Sequence, residues 1–274
     1  AQFRRHGIEV TLTLARSGAQ IIDTARQALE SGVAMVIAGG GDGTQSAVAS
    51  VLAGSEVVHG VLALGTLNHF ARDLQIPLEL DAAIANIANG VVKRVDVGSV
   101  NGRIFINNSG LGIYPDLVRD RERQQRRLGR GKWLAFALAT LAIARRYPFL
   151  DVHLKIDGQE HARRTPFVFI GNNQYQMEGF DIGTRGRIDA GSLCLYMAHR
   201  TGRLGLLGLA LHALTHRLAQ ARDFDMLNSD ELIISTRRRR LRVATDGEVT
   251  KMSTPLHYRI HRAALNVIVP RKGN

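Results

Sequence analysis

The stretch AMVIAGGGDGTQSAVASVLAG, residues 34–54, determines how the first part of this chain folds. It opens with the short apolar run 34–38, which is typical of a strand that is buried in a parallel sheet. A glycine-rich turn follows, and from Ala47 onward the apolar residues return at the three- and four-residue spacing of a helix. A strand, a turn and a helix in this order form the repeating unit of a parallel α/β sheet.

The turn, GGGDGT at residues 39–44, has the composition of an anion-binding loop. Glycine lets the backbone adopt positive φ and approach a ligand, and free amides at a helix N-terminus attract phosphate. Asp42 would repel that phosphate unless a cation lay between them, so the turn also predicts Mg²⁺. It is not a P-loop, because no lysine follows. A turn that only connects strand to helix is the alternative.

A second strand–turn–helix unit follows, with an apolar run at 60–64 and the segment LALGTLNHFARDL at 62–74. Its turn contains Thr66. Adjacent strand ends form the crevice in which open α/β sheets bind ligands, so Thr66 is a candidate hydrogen-bond donor to phosphate. Asn68 is expected either to join this site or to cap the helix.

The pattern changes near residue 93, where short alternating strands separated by turn signals replace the strand–helix units. This pattern is typical of an antiparallel sandwich or barrel. Two helical stretches interrupt it, a basic one at 116–147 and an apolar one at 205–220. The fold class is therefore α/β followed by β.

Composition limits the function classes. The net charge of +12 favours an anionic partner, but only 5% of residues are aromatic, which disfavours single-stranded nucleic acid. The single cysteine, Cys194, excludes an internal disulfide framework and a cysteine-built zinc site. There is no apolar run of 18 residues and no signal-peptide pattern at the start, so we expect a cytoplasmic protein without a spanning helix.

Four motifs in consistent order resemble the diacylglycerol kinase catalytic domain family, which includes bacterial lipid kinases, sphingosine kinases and ceramide kinases. The motifs are GGGDGT at 39–44, LGTLNHFARDLQIP at 64–77, KRVDVGSVNGRIFINNSGLG at 93–112 and ATDGEVTKMSTPLHYRIHRAALNVIVP at 244–270. The resemblance implies phosphorylation of a lipid hydroxyl, with ATP and Mg²⁺ as cofactors.

The resemblance also implies a two-domain lipid kinase architecture with the site in the cleft between the domains. A Rossmann-like, three-layer nucleotide domain would span 1–95, and an antiparallel β-sandwich lipid domain would span 96–262. The apolar strand in 263–274 is expected to return to the first domain.

Carried over by position, the resemblance implies a role for each matching residue. Glu248 would accept the proton of the lipid hydroxyl, and Asp42 would be the essential acid. Asp42 and Asp96 would belong to the metal network. The nucleotide would be bound by Gly39, Gly40, Gly41, Asp42, Gly43, Thr44, Thr66 and Asn68. From the local sequence alone, Asp246-Gly247 reads as a hairpin turn.

Three departures from the family pattern bear on these roles. Relatives usually open with a strand that ends in an Asn-Pro turn, which has no counterpart here, so we expect an incomplete first domain. Residues 3–30 are then expected to form helix, strand and helix. His69 stands where the family has an aspartate. In IDAGSL at 188–193, Asp189 alone remains of an Asp-Asp-Gly metal loop.

We expect a lipid substrate and peripheral contact with an anionic membrane, through the basic segments 119–132 and 237–242. Solvated faces are the alternative for both segments. No nucleic-acid partner is expected, and a homodimer is left open. Two alternatives to a lipid kinase remain, an NAD kinase-like enzyme and a degenerate nucleotide- or lipid-binding module without catalysis.

Overall fold

The computed structural model of the chain describes five stretches of residues. The basic segment 119–132 and the apolar stretch 205–220 lie outside them. Within the described part, no helix is long and apolar enough to cross a membrane. The described stretches are 2–112, 150–156, 158–178, 181–198 and 224–271.

The first part alternates helices and strands, as the sequence predicts. Its elements are α1 (Gln2–Arg5), α2 (Gly18–Glu30), β1 (Met35–Gly40), α3 (Asp42–Leu52), β2 (Val58–Ala63), α4 (His69–Asp73) and α5 (Leu80–Asn89). Strands β1 and β2 pair in parallel, with Gly40 opposite Ala63. The carboxyl ends of the two strands therefore meet at one edge of the sheet.

The sequence predicts a strand between the first two helices, and the structure shows that this prediction is wrong. Residues 8–17 have no strand assignment, and Leu12 and Leu14 are 81% and 79% exposed. A strand exists only where a neighbouring strand accepts and donates its backbone hydrogen bonds. None of the described strands lies beside this segment, because β1, at the end of its sheet, pairs only with β2.

The rest of the described chain is almost entirely β-structure. Its strands are β3 (Val91–Val100), β4 (Arg103–Phe105), β5 (Asn108–Gly112), β6 (Leu150–Ile156), β7 (Gln159–Thr165), β8 (Phe167–Asn172), β9 (Tyr175–Glu178), β10 (Asp181–Arg185), β11 (Leu193–Ala198), β12 (Phe224–Ser229), β13 (Glu231–Thr236), β14 (Arg240–Thr245), β15 (Glu248–Ser253) and β16 (Leu256–Val269).

These strands form two large sheets and one small one within the described residues. The order β1-β2-β16-β13-β6-β7 runs through an eight-stranded sheet, in which β3 pairs with β16 and β4. A six-stranded antiparallel sheet has the order β12-β11-β8-β5-β14-β15, and β9 pairs with β10. The fold is thus an α/β part with a mixed sheet, followed by a β-sandwich.

Strand β16 joins the two parts. Its first half pairs antiparallel with β13, and near Asn266 and Val267 it pairs in parallel with β2. Its pairing with β3 shifts register between His261 and Leu265, where Ala263 has a φ of 49°. One strand therefore continues from the sandwich into the sheet of the α/β part.

Each part has its own apolar core. In the α/β part, Val48 and Leu52 of α3 pack with Val61 of β2 and with Phe70 of α4. In the sandwich, side chains from the two sheets face each other as expected for aligned sheet packing. That core includes Leu154, Leu232, Tyr258, Ile170, Leu195 and Val243.

Candidate functional site

The first glycine turn leads directly from β1 into α3, with Gly41 alone between the two elements. Gly41 is the N-cap of α3 with extended backbone, and its carbonyl accepts hydrogen bonds from the amides of Thr44 (2.9 Å) and Gln45 (3.1 Å). A Cβ on Gly40 would overlap the Thr44 side chain. Gly40 is therefore required by packing, in addition to any contact with a ligand.

The second turn, after β2, packs directly against the first. A Cβ on Gly65 would overlap the Cα of Gly41, so the two backbones touch only because residue 65 is glycine. Asn68 shapes this turn from the left-handed region, with φ of 53°. Its Oδ1 accepts from the Gly65 amide at 3.0 Å, and its Nδ2 donates to the Gly65 carbonyl at 2.8 Å.

The side chain of Asn68 does not cap α4, although the residue occupies the N-cap position. Asp42 of the first turn does so instead. Its Oδ2 accepts from the His69 amide and its Oδ1 from the Phe70 amide, both at 3.1 Å. The predicted essential acid thus connects the two turns. The side chain of Asn68 is occupied by its own turn.

Asp42 is half-buried, and each of its oxygens accepts one amide hydrogen. A carboxylate has about four acceptor positions, so it retains capacity for a further ligand. Thr66, on the second turn, and His69, the first residue of α4, are exposed. This donor set suits an Mg²⁺ ion that is held mainly by nucleotide phosphates and by one carboxylate.

The Asp246-Gly247 pair forms the hairpin turn that its sequence indicates. Both residues have positive φ, 47° and 87°, and the turn joins β14 to β15 with Thr245 opposite Glu248. Two successive residues with positive φ are typical of a type I′ turn. This turn places Glu248 at the first position of β15.

The Asp246 carboxylate anchors this turn on two other segments. It accepts hydrogen bonds from the amides of Ile106 (2.8 Å), Asn107 (2.8 Å) and Asn108 (3.0 Å). It also accepts from the hydroxyl of Ser46, on α3, at 2.6 Å. Burial raises the pKa of the Asp246 carboxyl, and these hydrogen bonds oppose that rise.

Glu248 is exposed and paired with a cation. Its Oε2 lies 2.6 Å from Nη2 of Arg103, whose Nε donates to the Thr245 hydroxyl at 3.0 Å. Arg103 begins β4, so the hairpin turn and the segment 103–108 hold each other at two points. Glu248 and Asp42 thus belong to turns that are linked through Ser46 and Asp246.

The three carboxylates predicted as metal ligands are not brought together. Among the described residues, no three His, Cys, Asp or Glu side chains are grouped so that they could hold a metal ion. Asp96 is buried, and its two oxygens accept from the amides of Gly191 (2.7 Å) and Ala263 (2.8 Å). Asp96 therefore fixes the loop at Gly191 and the register shift of β16 near Ala263.

Asp189 lies between two cations. Its carboxylate is 3.1 Å from Lys93 Nζ and 3.2 Å from Arg187 Nε. Partial burial raises the pKa of the Asp189 carboxyl, but the hydrogen bonds from Lys93 and Arg187 outweigh it, so the pKa is lowered. Lys93 and Arg187 already balance the charge of Asp189, so we do not propose Asp189 as a metal ligand.

Sequence reasoning missed a buried ion pair behind the site. Arg185 Nε lies 2.7 Å from Asp73 Oδ2 at the end of α4, and the two side chains are 0% and 3% exposed. Arg185 also donates to the carbonyl of Ile106 (2.7 Å) and to Oδ1 of Asn107 (2.9 Å). It therefore ties α4 to the segment that holds Asp246. These partners are too distant in sequence for any local pattern to connect them.

Two protein-family models match this chain, one over its α/β part and one over its β-rich part. Residues 1–100 match the model of the "Diacylglycerol kinase catalytic domain". Residues 116–269 match the "YegS C-terminal NAD kinase beta sandwich-like domain". The second model alone covers more than half of the chain.

Individual relatives agree with this. An uncharacterized protein of Synechocystis sp. is 25% identical over 262 residues, which are 92% of this chain and 59% of that protein. A protein of Pseudomonas aeruginosa (strain UCBPP-PA14) named "Probable lipid kinase YegS-like" is 46% identical over 83 residues, 30% of this chain and 27% of that one. The matches thus span less than two thirds of these relatives' length.

A solved structure described as a diacylglycerol kinase of Bacillus anthracis str. Sterne has the same fold. It superposes with a TM-score of 0.67 over 94% of this chain and 84% of that chain, at 22% sequence identity. At this identity, the likeness concerns the fold alone.

Proposed function

We propose that this chain, which belongs to the family of diacylglycerol kinases and YegS-like lipid kinases, transfers the γ-phosphoryl group of ATP to the hydroxyl of a diacylglycerol-like lipid. The observation that carries the proposal is the hydrogen bond between Ser46 and Asp246. It holds the glycine turn, with Asp42, beside the hairpin turn, with Glu248. A phosphate-binding turn and a proton-accepting carboxylate are the two parts that such a transfer needs.

The nucleotide end of the site is built from backbone amides and one carboxylate. The first amides of α3, a helix of 11 residues, have no partners within the helix and favour a bound phosphate. Residues 39–44 and Thr66 would line the phosphates. Asp42 would hold Mg²⁺ together with the phosphates, and this ion neutralises phosphate charge when bound.

The lipid end is the Glu248 carboxylate. As the hydroxyl oxygen bonds to the γ-phosphorus, its O–H bond breaks and the proton passes to Glu248, while the bond from phosphorus to the ADP oxygen breaks. Glu248 is exposed and its Oε1 has no hydrogen-bond donor among the described residues, so it is accessible to a substrate. Arg103, bonded to Oε2 and to Thr245, fixes the direction of the carboxylate.

Attraction to an anionic membrane is part of the proposal. Exposed arginines fill the turn between β13 and β14 and the first position of β14, and none of them forms an ion pair within the described part of the chain: Arg237, Arg238, Arg239 and Arg240. Thr254 pins this turn through its amide to the Arg239 carbonyl (3.1 Å) and its hydroxyl to the Arg238 carbonyl (2.8 Å). Each basic residue near an anionic surface contributes about 1 kcal/mol.

A phosphorylation assay with labelled ATP and Mg²⁺ tests the proposal. The acceptors are diacylglycerol, a sphingoid base, phosphatidylglycerol and a polyprenol in detergent micelles, with NAD as a separate acceptor. We expect label in a lipid and none in NAD, and no transfer by Asp42→Ala. Label in NAD alone would favour the NAD kinase-like alternative, whereas ATP binding without transfer to any acceptor would favour a non-catalytic binding module.

A further inference from the structure

Gln45 is a buried polar residue immediately after the glycine turn. It is 3% exposed, on the side of α3 that also buries Val48, Ala49 and Leu52. Its Nε2 lies 3.0 Å from the Ala38 carbonyl, 3.3 Å from the Gly40 carbonyl and 3.4 Å from the Leu62 carbonyl. One amide group therefore contacts the last residues of both β1 and β2, where the two turns begin.

The other end of the Gln45 side chain is held by His59, a fully buried residue of β2. His59 Nε2 lies 2.9 Å from Gln45 Oε1. Because Nε2 of Gln45 faces carbonyls, Oε1 must accept, and His59 must carry its hydrogen on Nε2. Its Nδ1 is then an acceptor, and it has no partner among the described residues. Burial lowers the pKa of His59 to about 4, so the ring is neutral near pH 7.

The pair is also connected to the opposite side of the site. The His59 ring packs against Phe70, with centroids 6.2 Å apart, and the Phe70 amide donates to Asp42. Contacts thus run from the Gly40 carbonyl through Gln45, His59 and Phe70 to Asp42. They include both glycine turns and the first turn of α4.

Stability does not explain why these two positions are polar. Replacing both members of a buried hydrogen-bonded pair by apolar groups of similar shape is often nearly neutral for folding. Leucine at both positions would fill the space but remove the Gln45 amide from the carbonyls of Gly40 and Leu62, which would still accept from the Leu64 amide at 3.1 Å each. The polar side chain of Gln45 therefore orients those carbonyls. The orientation of a carbonyl constrains the backbone path of the turn that follows it.

We propose that Gln45 and His59 are positioning residues of the nucleotide site, which fix the two glycine turns relative to each other. The nucleotide part of this inference rests on the proposed function. A conformational effect on the turns does not depend on it. The two parts can therefore be measured separately.

The experiment compares the wild-type chain with Gln45→Leu, with the double variant Gln45→Leu/His59→Leu, and with Asn86→Leu as the control. Asn86, on α5, is also buried, and its side-chain amide has no hydrogen-bond partner among the described residues, so it forms no hydrogen bond with either turn. Three quantities are measured: the free energy of unfolding in urea, affinity for ATP with Mg²⁺ by calorimetry, and amide hydrogen exchange of peptides covering 39–44 and 63–68.

For the single variant, we expect a loss of stability, because His59 loses its acceptor. The double variant should recover that stability and still bind ATP about tenfold more weakly, with faster exchange in both turn peptides. Asn86→Leu should change neither the affinity for ATP nor the hydrogen exchange of the two turn peptides. If ATP affinity and exchange return to wild-type values together with stability, the pair is only structural and the inference is wrong. If the wild-type chain binds no ATP, the proposed function fails, and hydrogen exchange at the two turns still decides the inference.

Discussion

The hydroxyl of Ser46 donates to the carboxylate of Asp246 at 2.6 Å, across 200 residues of sequence. This hydrogen bond joins α3, the helix after the first glycine turn, to the hairpin that carries Glu248. The same carboxylate accepts three amides of the segment 106–108. Asp246 is therefore an anchor of the site, while its neighbour Glu248 remains exposed.

Asp246→Asn should lower the free energy of unfolding by about 2 kcal/mol or more, because an amide at this position cannot accept from all four donors. Asparagine tolerates the positive φ of Asp246, so the loss reports on the hydrogen bonds and not on the backbone. Ser46→Ala should cost less, since it removes one of the four hydrogen bonds that this carboxylate accepts. Urea unfolding measures both. An Asp246→Asn chain as stable as the wild type would show that the anchor is dispensable.

Gly65→Ala should destabilise the chain by about 1–3 kcal/mol and weaken ATP binding, because its Cβ would overlap Gly41. Gly43→Ala is the control for stability. A Cβ there meets nothing within 4 Å, and alanine in a helix is favoured over glycine by about 0.5–1 kcal/mol. The Gly43→Ala chain should be as stable as the wild type or slightly more so. Equal unfolding curves for the two variants would contradict the close contact of the turns.

The two strand–turn–helix units could be predicted from the sequence because their signals are local. Apolar runs mark β1 and β2, and glycines mark the turns where backbone approaches backbone. The hairpin at Asp246-Gly247 could be predicted for the same reason, since its two positive φ values favour those residue types. Such patterns do not depend on what packs against them.

The remaining features depend on partners that are distant in sequence. The segment 8–14 has the alternation of a strand, but pairing decides whether a strand forms. Gln45 looked like an ordinary helical residue, and only its carbonyl partners reveal its role. Asp96 matched an acid of a metal network, whereas its oxygens accept backbone amides. Long-range hydrogen bonds have no sequence period, so a single sequence does not reveal them.

Arg185→Met should lower the free energy of unfolding by about 3–5 kcal/mol, because it leaves Asp73 buried without its cation. Glu56→Gln is the matched control. Glu56 pairs with Arg94 at 3.0 Å on the surface, with 86% and 58% of the two side chains exposed, so its loss should cost less than about 1 kcal/mol. Guanidinium unfolding distinguishes the two variants. Similar small losses in both would mean that water reaches Asp73.

His59 should make the chain sensitive to acid. The pKa of His59 is about 4 in the folded chain, against 6.5 in the unfolded chain, so the unfolded state binds the proton first. Its contribution to stability is complete above about pH 6.5 and falls by about 3 kcal/mol as the pH decreases to 4. His59→Gln should flatten the dependence of unfolding free energy on pH in this window. An unchanged slope would show that His59 is protonated without unfolding.

The proposed chemistry depends on Glu248 accepting the proton of the lipid hydroxyl. Glu248→Gln keeps the size of the side chain and an acceptor for Arg103, but removes the basic carboxylate. The measurement is lipid phosphorylation and ATP affinity, determined together for the wild-type chain and this variant. We predict that turnover falls about 10²–10⁴-fold while ATP affinity is unchanged, since Glu248 lies on neither of the two glycine turns. Turnover within about threefold of wild type would contradict the role of Glu248 as proton acceptor.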